Sequence, residues 1–164
     1  MATPYAIRSF RNALLAVVVL ASLTTACKKS GIGGGDVDPR DQYVGVYEGG
    51  YQASNFLNNS LESKRESGTV TVTITKSEVI GQFYIDMLFN NTSSQKLTAE
   101  LTDNAFKVID KQSEPLVYDG TTYTANYTAT GQFAEKDFLL NTVAETLQAG
   151  QTLSRRGSIT ATKK

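Results

Sequence analysis

From Tyr43 to the C-terminus, apolar and polar residues alternate along the chain. The clearest run is Thr-Val-Thr-Val-Thr-Ile-Thr at 69–75, in which Val70, Val72 and Ile74 share one face and the threonines share the other. Alternation of β-branched and aromatic residues with polar ones is typical of an antiparallel strand with one buried face. Similar runs lie at 83–89, 97–102, 106–108, 122–130 and 158–162. Such closely spaced runs predict an all-β domain of about eight strands, in a sandwich or a barrel.

Turn-forming residues separate these runs. Asp119-Gly120 is the strongest turn signal, because a type I′ turn needs positive φ angles and glycine adopts them freely. Asp103-Asn104 divides two short runs, as a tight hairpin does, and polar groups at 76–78 and 134–137 predict further turns. No long stretch has a helical period, so the turns support an antiparallel arrangement of sequential strands.

Two segments do not alternate clearly. Residues 52–67 follow the first strand and are mostly polar, with Phe56 as an apolar residue among them. We interpret this segment as a long loop pinned by Phe56, with a lid over a binding site as the alternative. Residues 138–150 contain a capping-box pattern beginning at Thr142, which would suit a short helix. We favour a strand there, because a helix of so few turns gains little stability by itself.

The N-terminus has the pattern of a secretory signal. Arg8 and Arg11 form a basic start, residues 13–23 form an apolar run, and small residues follow as far as Cys27. The apolar run is too short for the roughly 20 residues that a transmembrane helix needs. The segment Leu-Thr-Thr-Ala-Cys resembles a bacterial lipobox, in which the cysteine is acylated and becomes the mature N-terminus. We therefore expect 1–26 to be a lipoprotein signal peptide and Cys27 to be lipidated; the alternative is an ordinary signal that leaves a free thiol.

A glycine-rich stretch follows Cys27. Lys28 to Gly35 has almost no apolar content, and charged residues with a proline continue it to Arg40. Chains of this composition are flexible. The glycines lack the Gly-Lys-Ser/Thr ending of a phosphate loop, and the acids lack the central Gly and closing Glu of a calcium loop. The predicted organisation is therefore a lipidated cysteine and tether over 27–40, followed by one all-β domain over 41–164.

Composition removes several classes of function. The chain has 164 residues, 16 Lys and Arg against 16 Asp and Glu, one Cys, and neither His nor Trp. Without His there is no Ser-His or Cys-His nucleophile, and one Cys cannot build a disulfide framework or a Cys/His zinc site. The balanced charge offers no footprint for nucleic acid. We expect no cofactor, no metal and no enzymatic activity.

Two stretches at the ends of the predicted domain suggest a family. The first is Tyr-Val-Gly-Val-Tyr-Glu-Gly at Tyr43–Gly49, and the second is Gly-Ser-Ile-Thr-Ala-Thr-Lys at Gly157–Lys163. Together with the lipobox and tether, they resemble the small lipocalin-like lipoproteins of Bacteroidota. The resemblance implies an antiparallel up-and-down β-barrel of about eight strands. It also implies a lipid-anchored protein of the cell envelope, at the outer membrane, on either the periplasmic or the external face.

Aromatic residues are the candidates for a binding site inside such a barrel. They are Tyr47, Tyr51, Phe56, Tyr84, Tyr123 and Tyr127. An eight-stranded barrel is just wide enough to be filled by side chains or to hold one small ligand, and a filled or nearly filled interior is slightly favoured. The expected function is non-enzymatic binding of a small, largely apolar ligand by a monomer. The alternative is an envelope scaffold with a filled barrel that binds a protein partner through its surface.

Overall fold

A computed structural model describes residues 37–61 and 66–164, with the side chain of Leu61 excepted. The predicted signal peptide, Cys27 and most of the predicted tether lie outside these residues. The compact unit runs from Asp38 to Lys164. It therefore begins three residues before the predicted boundary at 41, and the reason is that Arg40 is buried against the strands.

The described chain is built from β-strands joined by short turns. The strands are β1 (Gly45–Leu57), β2 (Ser60–Leu61), β3 (Glu66–Lys76), β4 (Gln82–Phe89), β5 (Ser93–Thr102), β6 (Ala105–Val108), β7 (Ser113–Tyr118), β8 (Thr121–Ala134), β9 (Asp137–Gln148) and β10 (Gln151–Lys163). All pairings are antiparallel. No α-helix occurs in the described ranges.

Eight of these strands close into a barrel, as the sequence predicted. β1, β3, β4, β5, β6, β8, β9 and β10 form the ring in chain order, and β10 pairs with β1 to close it. The closing register runs from Tyr47 opposite Lys163 to Leu57 opposite Leu153. β2 extends the edge beside β1, and β7 pairs with β8 beyond the end of β6. The result is the expected lipocalin-like, up-and-down arrangement.

One half of the barrel is filled by aromatic side chains. Tyr43 stacks on Phe133 with ring centroids 4.1 Å apart, and Phe106 stacks on Phe138 at 5.4 Å. Phe83 meets Phe106 edge-on at 5.3 Å. These rings come from four strands and from the segment before β1, so they lock one end of the barrel together. We call this end the closed half.

The structure confirms two of the predicted features and corrects a third. Asp119 and Gly120 form the predicted turn with φ angles of 47° and 72°, and residues 138–148 belong to strand β9. The predicted loop or lid over 52–67 is wrong where the structure describes it, because β1 continues through Leu57 and 60–61 form β2; residues 62–65 of this prediction lie outside the described residues. The polar residues of 52–57 are held as strand because β10 pairs with β1 as far as Leu57.

Candidate functional site

The other half of the barrel contains a cavity of about 340 Å³. It exists because the inward-facing residues at this level are small. Ala53 on β1, Thr142 and Ala144 on β9, and Gly157 on β10 all line it, whereas the same face of β9 carries Phe138 in the closed half. The sequence left a hollow and a filled barrel as alternatives, with a filled one favoured; the structure combines a filled half with a hollow half.

The cavity lining has an apolar part and a polar part. Met87, Leu140 and Ile159 supply aliphatic surface, and the rings of Phe89 and Tyr51 continue it. These two rings meet edge-on with centroids 5.0 Å apart. Polar and charged residues make up most of the remaining lining, namely Gln52, Glu66, Asn90, Thr92, Ser93, Gln95, Glu114, Tyr127, Thr142, Arg155 and Ser158. A molecule with both apolar and polar groups fits such a lining better than a purely apolar one.

The barrel wall is interrupted beside the cavity. β5 pairs with β6 only from Ala99 to Thr102, and the last bonds join Thr98 to the backbone of Ile109 and the carboxylate of Asp110. The chain then leaves β5, and β7 pairs with β8 alone. Ser93 and Gln95 of β5 and Glu114 of β7 line the cavity from the two sides of this gap.

Four charged side chains form a connected cluster at the cavity. Arg155 Nη2 lies 2.6 Å from Glu66 Oε2, and its Nη1 lies 3.7 Å from Glu114 Oε1. Lys111 Nζ lies 2.6 Å from the other oxygen of Glu114. The two cations balance the two anions. Since these groups are partly exposed, the cluster contributes little to stability. It does hold Arg155 of β10 between Glu66 of β3 and Glu114 of β7.

Tyr127 is the buried aromatic residue with a polar group facing the cavity. Only 6% of its surface is exposed, and Lys111 Nζ lies 4.1 Å from its ring centroid. Burial, with the negative charges of Glu114 and Asp110, raises the pKa of its hydroxyl well above the usual value, so the group stays neutral and can donate a hydrogen bond. No group in the described residues forms a hydrogen bond with it.

Of the six aromatic residues predicted to form a site, the structure brings two to the cavity. These are Tyr51 and Tyr127. The hydroxyl of Tyr51 accepts a hydrogen bond of 3.0 Å from the side-chain amide of Asn90. Tyr47 lies in the closed half, where its hydroxyl donates to the Tyr43 carbonyl at 2.8 Å. Tyr123 packs against the core without lining the cavity.

The positions of the remaining two correct the expectation. Tyr84 alternates with the buried Phe83 and Ile85 and so lies on the outer face, with Lys96 Nζ 4.5 Å from its ring. Phe56 also lies on the outer face, beneath the guanidinium of Arg156 at 4.9 Å. Neither side chain lines the interior cavity.

Sequence reasoning missed the charged residues of the cavity. Arg155 stands next to Arg156 in the sequence, and adjacent basic residues of this kind are mostly solvated. A signal was present, however, because Ile159 and Ala161 are inward-facing in the same strand and Arg155 shares their parity. Glu114 carried no such signal, since it precedes Pro115 in a strand with no clear alternation.

Within residues 37–61 and 66–164, no three Asp, Glu, Cys or His side chains come together in a way that could hold a metal ion, and no helix there is long and apolar enough to cross a membrane. Searches against family models and curated proteins give no match to this chain.

Proposed function

We propose that this protein is a lipid-anchored envelope lipoprotein whose barrel binds a small amphipathic ligand. The observation that carries the proposal is the cavity of about 340 Å³ in one half of an otherwise packed barrel. Its volume lies at the lower end of the range for small-molecule sites. The small inward residues Ala53, Ala144 and Gly157 keep this space open on three neighbouring strands.

The lining supports a ligand with a defined orientation. Its apolar part would lie against Met87, Leu140 and Ile159, and its polar part would meet the Tyr127 hydroxyl and Arg155. The Tyr127 hydroxyl is a hydrogen-bond donor on a residue that lines the cavity, so a ligand that accepts a hydrogen bond from it gains more than one that only fills space. This refines the expected ligand from largely apolar to amphipathic.

Binding is preferred to catalysis because the acids at the cavity are already engaged. Glu66 pairs with Arg155, and Glu114 pairs with Lys111 and Arg155. Neither carboxylate is left as a free acid or base facing the apolar floor. The scaffold alternative requires a filled barrel, so the cavity gives the ligand-binding proposal the stronger support.

The cellular part of the proposal rests on residues 1–40 of the sequence. We propose that Cys27 is acylated and anchors the barrel to the outer membrane, as in the small lipocalin-like lipoproteins of Bacteroidota that the chain resembles. Two or more acyl chains hold a protein stably on a membrane, whereas one does not. Metabolic labelling with palmitate tests this directly, because Cys27→Ser should abolish the label and release the protein from the membrane fraction.

Native mass spectrometry tests the ligand. The protein is purified gently from its own host, and a mass that is lost on denaturation identifies a bound molecule. Ala144→Leu should fill the cavity and remove that mass, since Ala144 is buried in its wall. Ala105→Leu is the matched control because Ala105 is exposed on β6. A clean apo mass for the wild-type protein, with no small molecule from a host extract binding on addition, would contradict the proposal.

A further inference from the structure

The turn between β3 and β4 exposes two aliphatic side chains. We call residues 77–81 the β3–β4 turn. Ile80 is 89% exposed and its neighbour Val79 is 54% exposed. Isolated exposed aliphatic residues are ordinary, but two in succession at the tip of a turn form a small apolar projection. What this projection contacts depends on how firmly it is held and on what lies near it.

A buried arginine holds the β3–β4 turn in place. The Nη1 of Arg40 donates hydrogen bonds to the carbonyl oxygens of Ser77, Val79 and Gln82 at 2.9, 2.8 and 2.7 Å. The Leu101 N–H donates to the Gly81 carbonyl at 2.8 Å, which ties the turn to β5. The turn therefore cannot fold back to cover its own apolar side chains without breaking these bonds.

The contact between Arg40 and the β3–β4 turn lies where the chain enters the barrel. Arg40 is oriented by Asp38, whose carboxylate accepts from Nε at 2.9 Å and from Nη2 at 2.7 Å. Asp38 is the first residue of the compact unit. Only ten residues separate it from Cys27 in the sequence, and a glycine-rich chain that spans those eleven residue-to-residue steps has a root-mean-square extent of about 18 Å. A lipid on Cys27 would thus keep the base of the β3–β4 turn close to the bilayer.

The charges near the turn favour apolar insertion over electrostatic attraction. Lys76 Nζ lies 2.5 Å from Asp41 Oδ1 and 3.5 Å from Asp38 Oδ2, so its charge is already balanced. Glu78 adds an exposed acid next to Val79. A turn of this kind gains nothing from anionic headgroups, and its affinity for a bilayer comes from burying the aliphatic side chains.

We propose that Val79 and Ile80 insert into the membrane that carries the lipid anchor. The inference rests on the proposed acylation of Cys27, because two aliphatic residues alone bind a bilayer weakly, whereas a short tether makes their contact intramolecular at a high effective concentration. β3 runs from Glu66 at the cavity to Lys76 beside the turn, about 33 Å of strand. The cavity consequently faces away from the membrane.

The absence of tryptophan from the chain makes a direct test simple. Ile80→Trp places a single tryptophan at the turn, and Leu147→Trp places one at the opposite end of the barrel, where Leu147 is 68% exposed; excitation at the red edge of the tryptophan band avoids the tyrosines. The full acylated chains are reconstituted into phosphatidylethanolamine and phosphatidylglycerol vesicles that contain dibrominated phosphatidylcholine. We expect a blue-shifted emission and strong bromine quenching for I80W, and neither effect for L147W.

Four results would overturn the inference. Equal quenching of both variants would show that the barrel lies on the membrane without a preferred face. If I80W is not quenched although the intact mass of the chain includes the acyl group, the protein is lipid-anchored but the turn does not insert into the membrane. If the intact mass of the chain does not include an acyl group, both the proposed lipid anchor and the proposed insertion of the turn are contradicted. A blue shift of I80W in whole envelopes but not in vesicles would assign the turn to a protein partner instead.

Discussion

Tyr47 and Tyr127 both point into the barrel, but within residues 37–61 and 66–164 only the Tyr47 hydroxyl has a hydrogen-bond partner. The Tyr47 hydroxyl donates to the Tyr43 carbonyl at 2.8 Å in the closed half, where burial raises its pKa to about 12. The Tyr127 hydroxyl faces the cavity. The two residues have the same chemistry and nearly the same burial, so they separate the structural role of a buried tyrosine from the binding role.

Tyrosine-to-phenylalanine substitutions at these two positions should have different effects: one should lower stability and the other should weaken ligand binding. Tyr47→Phe removes a made hydrogen bond and should lower the free energy of unfolding by about 1 kcal/mol. Tyr127→Phe removes a hydroxyl that has no hydrogen-bond partner in the described residues, so the free energy of unfolding should change by less than about 0.5 kcal/mol. The same substitution should weaken retention of the bound ligand. Urea denaturation and native mass spectrometry on each variant measure the two effects. If Tyr127→Phe lost as much stability as Tyr47→Phe, a hidden partner for its hydroxyl would be required.

The adjacent glycines of β1 provide a second matched pair. A Cβ at Gly49 would meet the carbonyl oxygen of Thr160 on β10 well inside van der Waals contact, whereas a Cβ at Gly50 would meet only the Gly68 carbonyl at 3.4 Å. Gly49→Ala should therefore push apart the strands that close the barrel and cost about 2–3 kcal/mol. Gly50→Ala should stay within about 0.5 kcal/mol of the wild type.

Thermal unfolding followed by circular dichroism checks the glycine pair. The expected order of Tm is wild type and Gly50→Ala together, with Gly49→Ala clearly lower. Equal Tm values for the two alanine variants would mean that β1 and β10 do not approach as closely as the closing register requires.

The strands and turns could be predicted wherever the residues carry their own signal. The alternation at 69–75 and the Asp119-Gly120 turn depend on local chemistry, and both were found in the structure. The extension of β1 from Gln52 to Leu57 was missed because these residues have low strand propensity. They are held by pairing with β10, a strand about a hundred residues away in sequence.

The binding site was less accessible to sequence reasoning than the fold. Alternation indicates which residues share a face, and Tyr51 shares the inward face of β1 with Tyr47. It does not indicate how far along the barrel a residue lies. Tyr47 and Tyr51 are four residues apart, yet one lies in the closed half and the other in the cavity. That difference depends on the size of side chains on β9 and β10, which only the register reveals.

Arg40 is expected to be important for stability although it lies outside the strands. Its side chain is 8% exposed and donates to three backbone carbonyls as well as to Asp38. Arg40→Ala should cost about 3 kcal/mol, because it leaves the Ser77 carbonyl and the Asp38 carboxylate without their partner. Arg40→Lys should recover only part of this, since lysine lacks the planar fork that pairs with a carboxylate.

A surface cation serves as the control for Arg40. Lys96 is 60% exposed and lies 4.0 Å from Asp86, so Lys96→Ala should cost less than about 1 kcal/mol. Urea denaturation midpoints at neutral pH compare the three variants with the wild type. Similar losses for Arg40→Ala and Lys96→Ala would show that the Arg40 contacts are not maintained in solution.

The partner of Arg40 should make stability depend on pH at the acid end. The Arg40 guanidinium, through its hydrogen bonds, is the largest cause of a pKa for Asp38 well below the usual value; the Arg40 N–H and the charges of Arg40 and Lys76 act in the same direction, and desolvation opposes them. In the unfolded chain the carboxyl titrates near about 3.9. A depressed native pKa adds stability that is fully present above the unfolded value and is lost as pH falls towards the native value.

Asp38→Asn should therefore be less stable than the wild type at neutral pH, and the difference should shrink below about pH 4, where the unfolded wild-type chain takes up a proton that the native chain resists. Asp86→Asn is the control, because that carboxylate is 44% exposed and lies 4.0 Å from its only cation in the described residues. Denaturation midpoints measured from pH 7 down to pH 3 give both curves. A gap between wild type and Asp38→Asn that stayed constant through pH 3 would mean that Asp38 titrates alike in the native and unfolded chains. Arg40 would then hold the β3–β4 turn without help from the charge of Asp38.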